Sequence, residues 1–169
     1  MLASCGTSDD QRPRNLDYIT EAILAPSCGA AVCHSSFRQE SGFVFDTVDN
    51  ARRTFQGDPQ LIGFDDADPD KTPGLILNLT AEQPGAPRMP YDKPLPDADI
   101  ALIEIWLKEG APGVCNGLRA CLGAFAVRCI TTHSTTQGEQ PLGAYDLADI
   151  TATNNCAAKG MTCAAGECR

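Results

Sequence analysis

The stretch SCGAAVCH, residues 27–34, decides how this chain is interpreted. It contains two cysteines, Cys28 and Cys33, separated by four residues, and His34 follows the second cysteine directly. Three of the intervening residues are glycine or alanine, so this loop can bulge without blocking a bulky group placed against it. The stretch therefore offers two thiols and an imidazole on one short segment.

Two thiols followed at once by an imidazole are the groups that attach a haem covalently, usually in the form Cys-x-x-Cys-His. Here the segment between the cysteines is two residues longer than in that form. We interpret it as a covalent haem attachment site. The alternatives are half of a zinc site, or a disulfide beside an incidental histidine. A structural zinc site uses four ligands in paired clusters, and the other histidine, His133, has no such pair around it.

Composition sets the compartment and the kind of partner. A chain of 169 residues forms one ordinary domain, or one small domain with an appendage. Its nine cysteines favour an oxidising compartment, so we expect an exported protein. The formal net charge of −9 is concentrated in residues 1–112, which excludes nucleic acid as a partner and predicts a basic one. A membrane-spanning helix would need a run of about 20 apolar residues, and the sequence contains no such run.

The N-terminal residues 2–5, Leu-Ala-Ser-Cys, resemble a bacterial lipobox. That resemblance implies that Cys5 carries a lipid and anchors the chain to a membrane, with a periplasmic or outer-surface location. The alternative is a free or disulfide-bonded Cys5. Residues 1–14 are accordingly expected to be a lipid-anchor and tether segment.

Four helices are predicted from apolar periodicity and capping residues. The first starts at the N-cap Asn15 and is ended by Pro26, just before the cysteine stretch. The second starts at Thr47 and stops near Gly57. The other two begin at Thr72-Pro73 and at the N-cap Asp97, the last one being stopped by Gly110 and Pro112.

A proline-rich segment after the third helix contains Met89, followed by Pro90. Each proline fixes its own φ, so such a loop can present one side chain rigidly. A methionine thioether suits haem iron opposite a histidine, and this ligation raises the reduction potential. The alternative is a methionine that fills a gap in the core.

Three further features have two interpretations each. The acidic run Asp65, Asp66, Asp68 and Asp70 is either a calcium site or a solvated loop, and it lacks the ordered positions of a calcium-binding loop. Phe43 and Phe45 either wall a haem crevice or pack in the core. His133 is expected to be a surface loop residue, with metal ligation as the alternative.

The tail, residues 113–169, holds six cysteines. We expect three disulfides in a small stapled module, with 15 possible pairings among which sequence cannot choose. One lipid, two haem thioethers and six disulfide cysteines account for all nine. The six are Cys115, Cys121, Cys129, Cys156, Cys163 and Cys168.

Residues 15–112 resemble a class I cytochrome c. The resemblance lies in a helix leading into the cysteine stretch, the sequence Arg-Met-Pro, then Pro-Leu-Pro, and a closing helix that reads Ile-Trp-Leu-Lys-Glu-Gly-Ala-Pro. These sequence motifs are similar to those of monohaem domains in exported myxobacterial and planctomycete proteins. It implies that Cys28 and Cys33 form the thioethers, that His34 is the proximal ligand and that Met89 is the distal one. It also implies that Tyr18, Ile19, Ile103 and Trp106 meet where the first and last helices cross.

The expected fold class is therefore mainly α: a cytochrome c-like fold around one covalent haem c in residues 15–112, followed by the loop-dominated, disulfide-rich module of residues 113–169. The expected function is single-electron transfer outside the cytoplasm, with a redox protein or a membrane respiratory or photosynthetic complex as partner and self-association as a further option. One alternative is a haem enzyme or sensor with an open distal position. The other is a non-haem, disulfide-rich structural lipoprotein.

Overall fold

The computed structural model describes residues 10–65, 67–68, 71–80, 87–135 and 138–169, and only the backbone within residues 131–142. The predicted lipid-anchor residue Cys5 lies outside the described residues. So do Asp66 and Asp70 of the calcium alternative. Among the described residues, no helix has the length and apolar character needed to cross a membrane.

The first helix leads directly into the cysteine stretch. It consists of α1 (Leu16–Tyr18), a π-helical segment (Ile19–Leu24) and α2 (Ala25–Ser27). Asn15 caps it as predicted, because its side chain accepts a hydrogen bond from the Tyr18 amide. Pro26 does not end it, contrary to the prediction. The wider turns of the preceding π segment relieve the clash that a proline ring makes with the carbonyl four residues earlier.

Three more helices complete this part of the chain: α3 (Val48–Gly57), α4 (Gly74–Thr80) and α5 (Asp97–Lys108). The Thr47 side chain caps α3 as predicted. The N-cap of α5 is Pro96, and not Asp97 as predicted. The Asp97 carboxylate lies in the first turn instead, where its negative charge interacts favourably with the positive end of the helix dipole. Helices and connecting turns share one apolar core that includes Ile19, Ile103 and Trp106, with Tyr18 packed against it.

A three-stranded antiparallel sheet follows, in the order β1 (Arg119–Leu122), β2 (Phe125–Thr135) and β3 (Gly138–Tyr145). A register shift interrupts the β2–β3 ladder between Ile130 and Thr132. A small second ladder pairs β4 (Cys163–Ala164) with β5 (Glu167–Cys168).

The predicted fold class is wrong, because the protein combines short helices with antiparallel strands instead of being a mainly α, cytochrome c-like fold. The segment expected to be loop-dominated contains two of the longer elements of the chain, β2 and β3. The physical reason is backbone pairing, because the strands satisfy the hydrogen-bonding needs of each other's amide and carbonyl groups. The spacing of apolar residues along one strand does not show which other segment pairs with it. The disulfide-rich character of the tail is confirmed.

Gly110 lets the helical part and the sheet approach closely. Gly110 accepts a hydrogen bond from the Tyr145 amide (2.9 Å), and a Cβ at Gly110 would stand 2.4 Å from the Tyr145 carbonyl oxygen. The amide of Gly113 donates to the Gly143 carbonyl (3.1 Å). Leu122, Phe125 and Val127 of the sheet belong to the same apolar core as the helices. The tail is therefore packed against the rest of the chain, while its boundary at residue 113 stays a prediction.

The Pro112 carbonyl joins the start and end of the helical part. It accepts hydrogen bonds from the Leu16 amide (2.8 Å) and from the indole Nε1–H of Trp106 (3.0 Å), both of which are fully buried residues. Residues 10–14 then lie along α5 through ion pairs of Arg12 with Asp99 and of Arg14 with Glu109.

Thr20 leads to a prediction about stability. Its hydroxyl is buried in the π-helical segment and has no hydrogen-bond partner among the described residues. An unsatisfied buried hydroxyl destabilises the folded state, so Thr20→Val is expected to raise the free energy of unfolding by about 1 kcal/mol in denaturant titration. Thr54→Val is the control: its hydroxyl bonds both the amide and the carbonyl of Val44 (3.0 Å each), and its loss should lower stability. A loss of stability in Thr20→Val would contradict the prediction.

Candidate functional site

Cys28, Cys33, His34 and Met89, the four predicted haem-binding residues, line one cavity. It has a volume of about 410 Å³, within the range of about 300–1,000 Å³ that is typical of small-molecule and cofactor sites. Its wall is mainly apolar. It is lined by Pro26, Ser27, Cys28, Ala30, Val32, Cys33, His34, Glu40, Met89, Pro90, Tyr91 and Asp92.

Helix α2 and the turn after it position the cysteine stretch. The Cys28 amide donates to the Leu24 carbonyl (2.7 Å), and the His34 amide donates back to the Cys28 carbonyl (3.0 Å). Gly29 is required where the loop leaves the helix, because a Cβ there would come within 2.9 Å of both the Ala25 carbonyl oxygen and Asp46 Cα. The longer loop is thus closed on itself by backbone bonds, with Cys28 and His34 held at its base.

Both thiols in the cavity are free. Cys28 is buried and Cys33 is partly buried, and no disulfide joins them. Burial, with the neighbouring Cys33 as a smaller cause, raises the pKa of Cys28 to about 11. Cys28 is therefore a neutral thiol at neutral pH, and the neutral form is a poor nucleophile.

No bond joins Cys28 to Cys33, as the disulfide alternative would require. In the part of the chain that the structure describes, no group of three or more His, Cys, Asp or Glu side chains is arranged to hold a metal ion. Thioether bonds to a haem, by contrast, need only two reduced thiols beside the group that they attach.

His34 is held in one orientation by the backbone. Its Nδ1 lies 2.9 Å from the Glu40 carbonyl oxygen. Because a carbonyl can only accept, Nδ1 carries the hydrogen, and Nε2 keeps the lone pair that a metal ligand needs. No sequence pattern marks this acceptor, because it is a backbone group of a loop residue six positions after His34.

Two phenylalanines support the His34 ring. Its centroid lies 6.0 Å from that of Phe43 and 5.7 Å from that of Phe45. Phe45 continues into the core through Phe55 (5.5 Å), which in turn contacts Trp106 (5.6 Å). Neither Phe43 nor Phe45 is among the residues that line the cavity. They pack against the imidazole on its protein side, which agrees better with the core-packing alternative than with a crevice wall.

The loop after His34 is tied to helix α3 by Asp46. Its carboxylate accepts from the Ser36 amide (2.6 Å) and from the Asn50 side-chain amide (2.8 Å). These hydrogen bonds, the Ser36 backbone bond first, lower the pKa of Asp46 to about 2. The carboxylate is therefore ionised at any ordinary pH and keeps the His34 loop in place.

Met89 comes to the cavity from another part of the chain. Its amide donates to the Asn78 carbonyl (2.8 Å), which ties the proline-rich segment to helix α4. Its side chain is partly buried and lines the same cavity as His34. Met161, by contrast, is 38% exposed and belongs to the tail.

The rim of the cavity is apolar and exposed. Val32 is 79% and Tyr91 67% accessible to solvent, and Phe37, on the loop after His34, is 89% accessible. Local charge is mixed rather than acidic: Arg38 pairs with Glu40 (3.3 Å), and Asp92 precedes Lys93.

The remaining candidates lie elsewhere. Asp65 accepts from the Ala67 amide and pairs with Lys71 (3.1 Å), and these contacts lower the pKa of Asp65. It is thus engaged by the chain itself, as the solvated-loop alternative expects. The prediction that His133 lies in a loop is wrong. His133 lies in β2, where its backbone pairs with that of Gln140.

The six tail cysteines form three disulfides, as predicted. The bonds join Cys115 to Cys129, Cys121 to Cys163, and Cys156 to Cys168. Cys121 lies in β1, and Cys163 and Cys168 lie in the two strands of the small ladder. The pairing therefore staples the three-stranded sheet to the end of the chain.

Comparison with known proteins adds no family to this description. No family model matches the chain, and neither a curated protein nor a solved structure is significantly similar to it. The functional argument therefore rests on the residues and geometry of the cavity.

Proposed function

We propose that this protein is a single-electron carrier with one covalently bound haem c. The observation that supports it is the cavity itself: it brings together both free thiols, an oriented histidine and a methionine from a distant segment. The proposal concerns this site and does not depend on a cytochrome c-like fold.

The residues present fit such a group. Cys28 and Cys33 would form the thioether bonds, and His34 and Met89 would hold the iron. When bound, the haem supplies a reversible one-electron couple, and Met/His ligation places it at a high potential. The Glu40 carbonyl fixes the His34 ring, which makes the imidazole a stronger donor. The apolar wall limits water, which also tunes the potential.

The setting belongs to the same proposal. The three disulfides suit an exported protein, located in the periplasm or on an outer surface. A lipid on Cys5 would keep it at a membrane, beside a redox protein or a respiratory or photosynthetic complex. The acidic charge of residues 1–112 favours a partner with a basic docking surface, and the exposed apolar rim would contact it around the cavity.

The test is a visible spectrum of protein produced by export with covalent-haem maturation. We expect sharp reduced bands that stay with the denatured polypeptide and a weak far-red band in the oxidised native protein. Met89→Ala should abolish that far-red band completely and give a high-spin spectrum, because the distal ligand is lost. Met161→Ala is the matched control and should change neither.

The other outcomes separate the alternatives. A bound haem whose spectrum is the same in Met89→Ala would indicate an open distal position, as in an enzyme or a sensor of a gas or peroxide. A colourless protein would overturn the haem proposal and leave a disulfide-rich structural protein.

A further inference from the structure

A second cavity lies where the helical part meets the tail. Its volume is about 390 Å³, and none of its described lining residues belongs to the candidate haem site. Its wall is built from the turn at Gly63, from helices α4 and α5, and from the short 3-10 helix of the tail that begins at Leu147. Segments far apart in sequence therefore meet around one space of the size that small-molecule sites usually have.

The inner wall of this cavity is apolar and held by the core behind it. Ile62, Phe64, Ile76 and Leu107 line it and are buried. The Phe64 ring packs edge-on against the ring of Tyr145, with centroids 6.4 Å apart. The wall is thus formed before any ligand arrives, and it would bury the apolar body of one.

The polar lining carries both signs of charge, Glu104 and Lys108, on helix α5. They are four residues apart, the spacing at which a glutamate and a lysine normally pair on a helix surface. In the part of the chain that the structure describes, neither forms an ion pair with the other or with a third residue. Lys71, which also lines the cavity, is by contrast paired with Asp65 (3.1 Å). Glu104 and Lys108 therefore offer two unpaired, opposite charges beside an apolar pocket.

This combination fits a small molecule with adjacent opposite charges and an apolar body. Its ammonium group would pair with Glu104 and its carboxylate with Lys108, while the apolar body would lie against the buried wall. A simple anion fits less well because Glu104 repels it, and a simple cation is repelled by Lys108. We propose that this cavity binds an α-amino acid with an apolar side chain. The inference does not depend on the haem proposal, because the two cavities share no described lining residue.

The test is isothermal titration calorimetry of the exported protein with L-phenylalanine. Three analogues each lack one recognised feature: glycine lacks the apolar side chain, 3-phenylpropanoate lacks the ammonium group, and phenethylamine lacks the carboxylate. Each analogue is expected to bind at least about tenfold more weakly than L-phenylalanine, because it leaves one part of the site without its partner.

Two variants test the charged residues. Glu104→Gln and Lys108→Gln should each weaken the binding of L-phenylalanine about threefold to tenfold, since ion pairs near the surface stabilise a complex only modestly. Glu21→Gln and Lys159→Gln are the matched controls, because they remove the same charges at exposed positions that do not line the cavity. The controls should leave the affinity unchanged.

The remaining outcomes overturn the proposal. L-phenylalanine that does not bind, or that binds equally well to Glu104→Gln and Lys108→Gln, contradicts it. If 3-phenylpropanoate binds as tightly as L-phenylalanine and Glu104→Gln strengthens that binding, the cavity is a site for simple anions and not for amino acids. The visible spectrum tests the haem proposal separately, so either proposal can fail while the other stands.

Discussion

Replacing Cys28 and Cys33 together by alanine is expected to abolish covalent haem completely. The two residues are the free cysteines that the structure describes, and both line the cavity. Without them no thioether can form, whatever the other ligands do. Intact mass measured after denaturation should therefore equal that of the polypeptide alone, and reduced spectra of denatured protein should show no haem bands.

A single-cysteine variant and a control variant test whether each thiol forms its own bond to the haem. Cys33→Ala leaves one thiol and should retain haem through one bond. Ser27→Ala changes another residue of the cavity wall and should retain both bonds. Circular dichroism checks that the double variant stays folded, since removing the buried Cys28 sulfur costs only on the order of 1 kcal/mol. A double variant that keeps haem after denaturation would contradict the assignment.

Removing the Cys121–Cys163 disulfide is expected to cost more stability than removing any other bond in the tail. It closes the longest loop, with a separation of 42 residues against 12 for Cys156–Cys168 and 14 for Cys115–Cys129. Chain-entropy arithmetic gives about 4 kcal/mol for the long loop and about 3 kcal/mol for each short one. Guanidinium titration of the paired alanine variants measures the difference.

This prediction also bears on how the tail is organised. The bond joins β1 to the small β4–β5 ladder, and Cys121 Sγ lies 3.3 Å from the Gly166 amide, which donates to it. Loss of the bond should therefore loosen the end of the chain first, visible as amide exchange in residues 156–169. Equal losses for all three disulfides would contradict the loop-length argument.

Local patterns predicted the local structure well. Asn15 and Thr47 cap their helices because a short polar side chain at that position satisfies an amide of the first turn wherever the helix packs. The apolar residues Leu75, Ile76 and Leu79 are buried on α4, the third of the four predicted helices. Pro26 and Asp97 are exceptions: Pro96 is the N-cap instead of Asp97, and the π-helical turns before Pro26 depend on tertiary packing that sequence spacing does not describe.

Non-local pairing is where the prediction of the fold class failed. The sheet forms because β2 has a partner on each side, β1 and β3, and neither partner is recognisable from β2 alone. The disulfide pairing is equally invisible in sequence, since it depends on which strands bring their Cβ atoms together.

For this protein, the amino-acid sequence by itself determined the residue types of the candidate site, the helix caps Asn15 and Thr47 and the oxidised character of the tail, because spacing, capping and cysteine content act over a few residues. Only the tertiary structure decided that Met89 shares a cavity with His34, that the Glu40 carbonyl orients the imidazole and that Arg88 Nη1 has no hydrogen-bond partner among the described residues. These facts depend on where distant backbone segments meet, and that is decided by burial of a common core and by pairing of backbone groups across the chain.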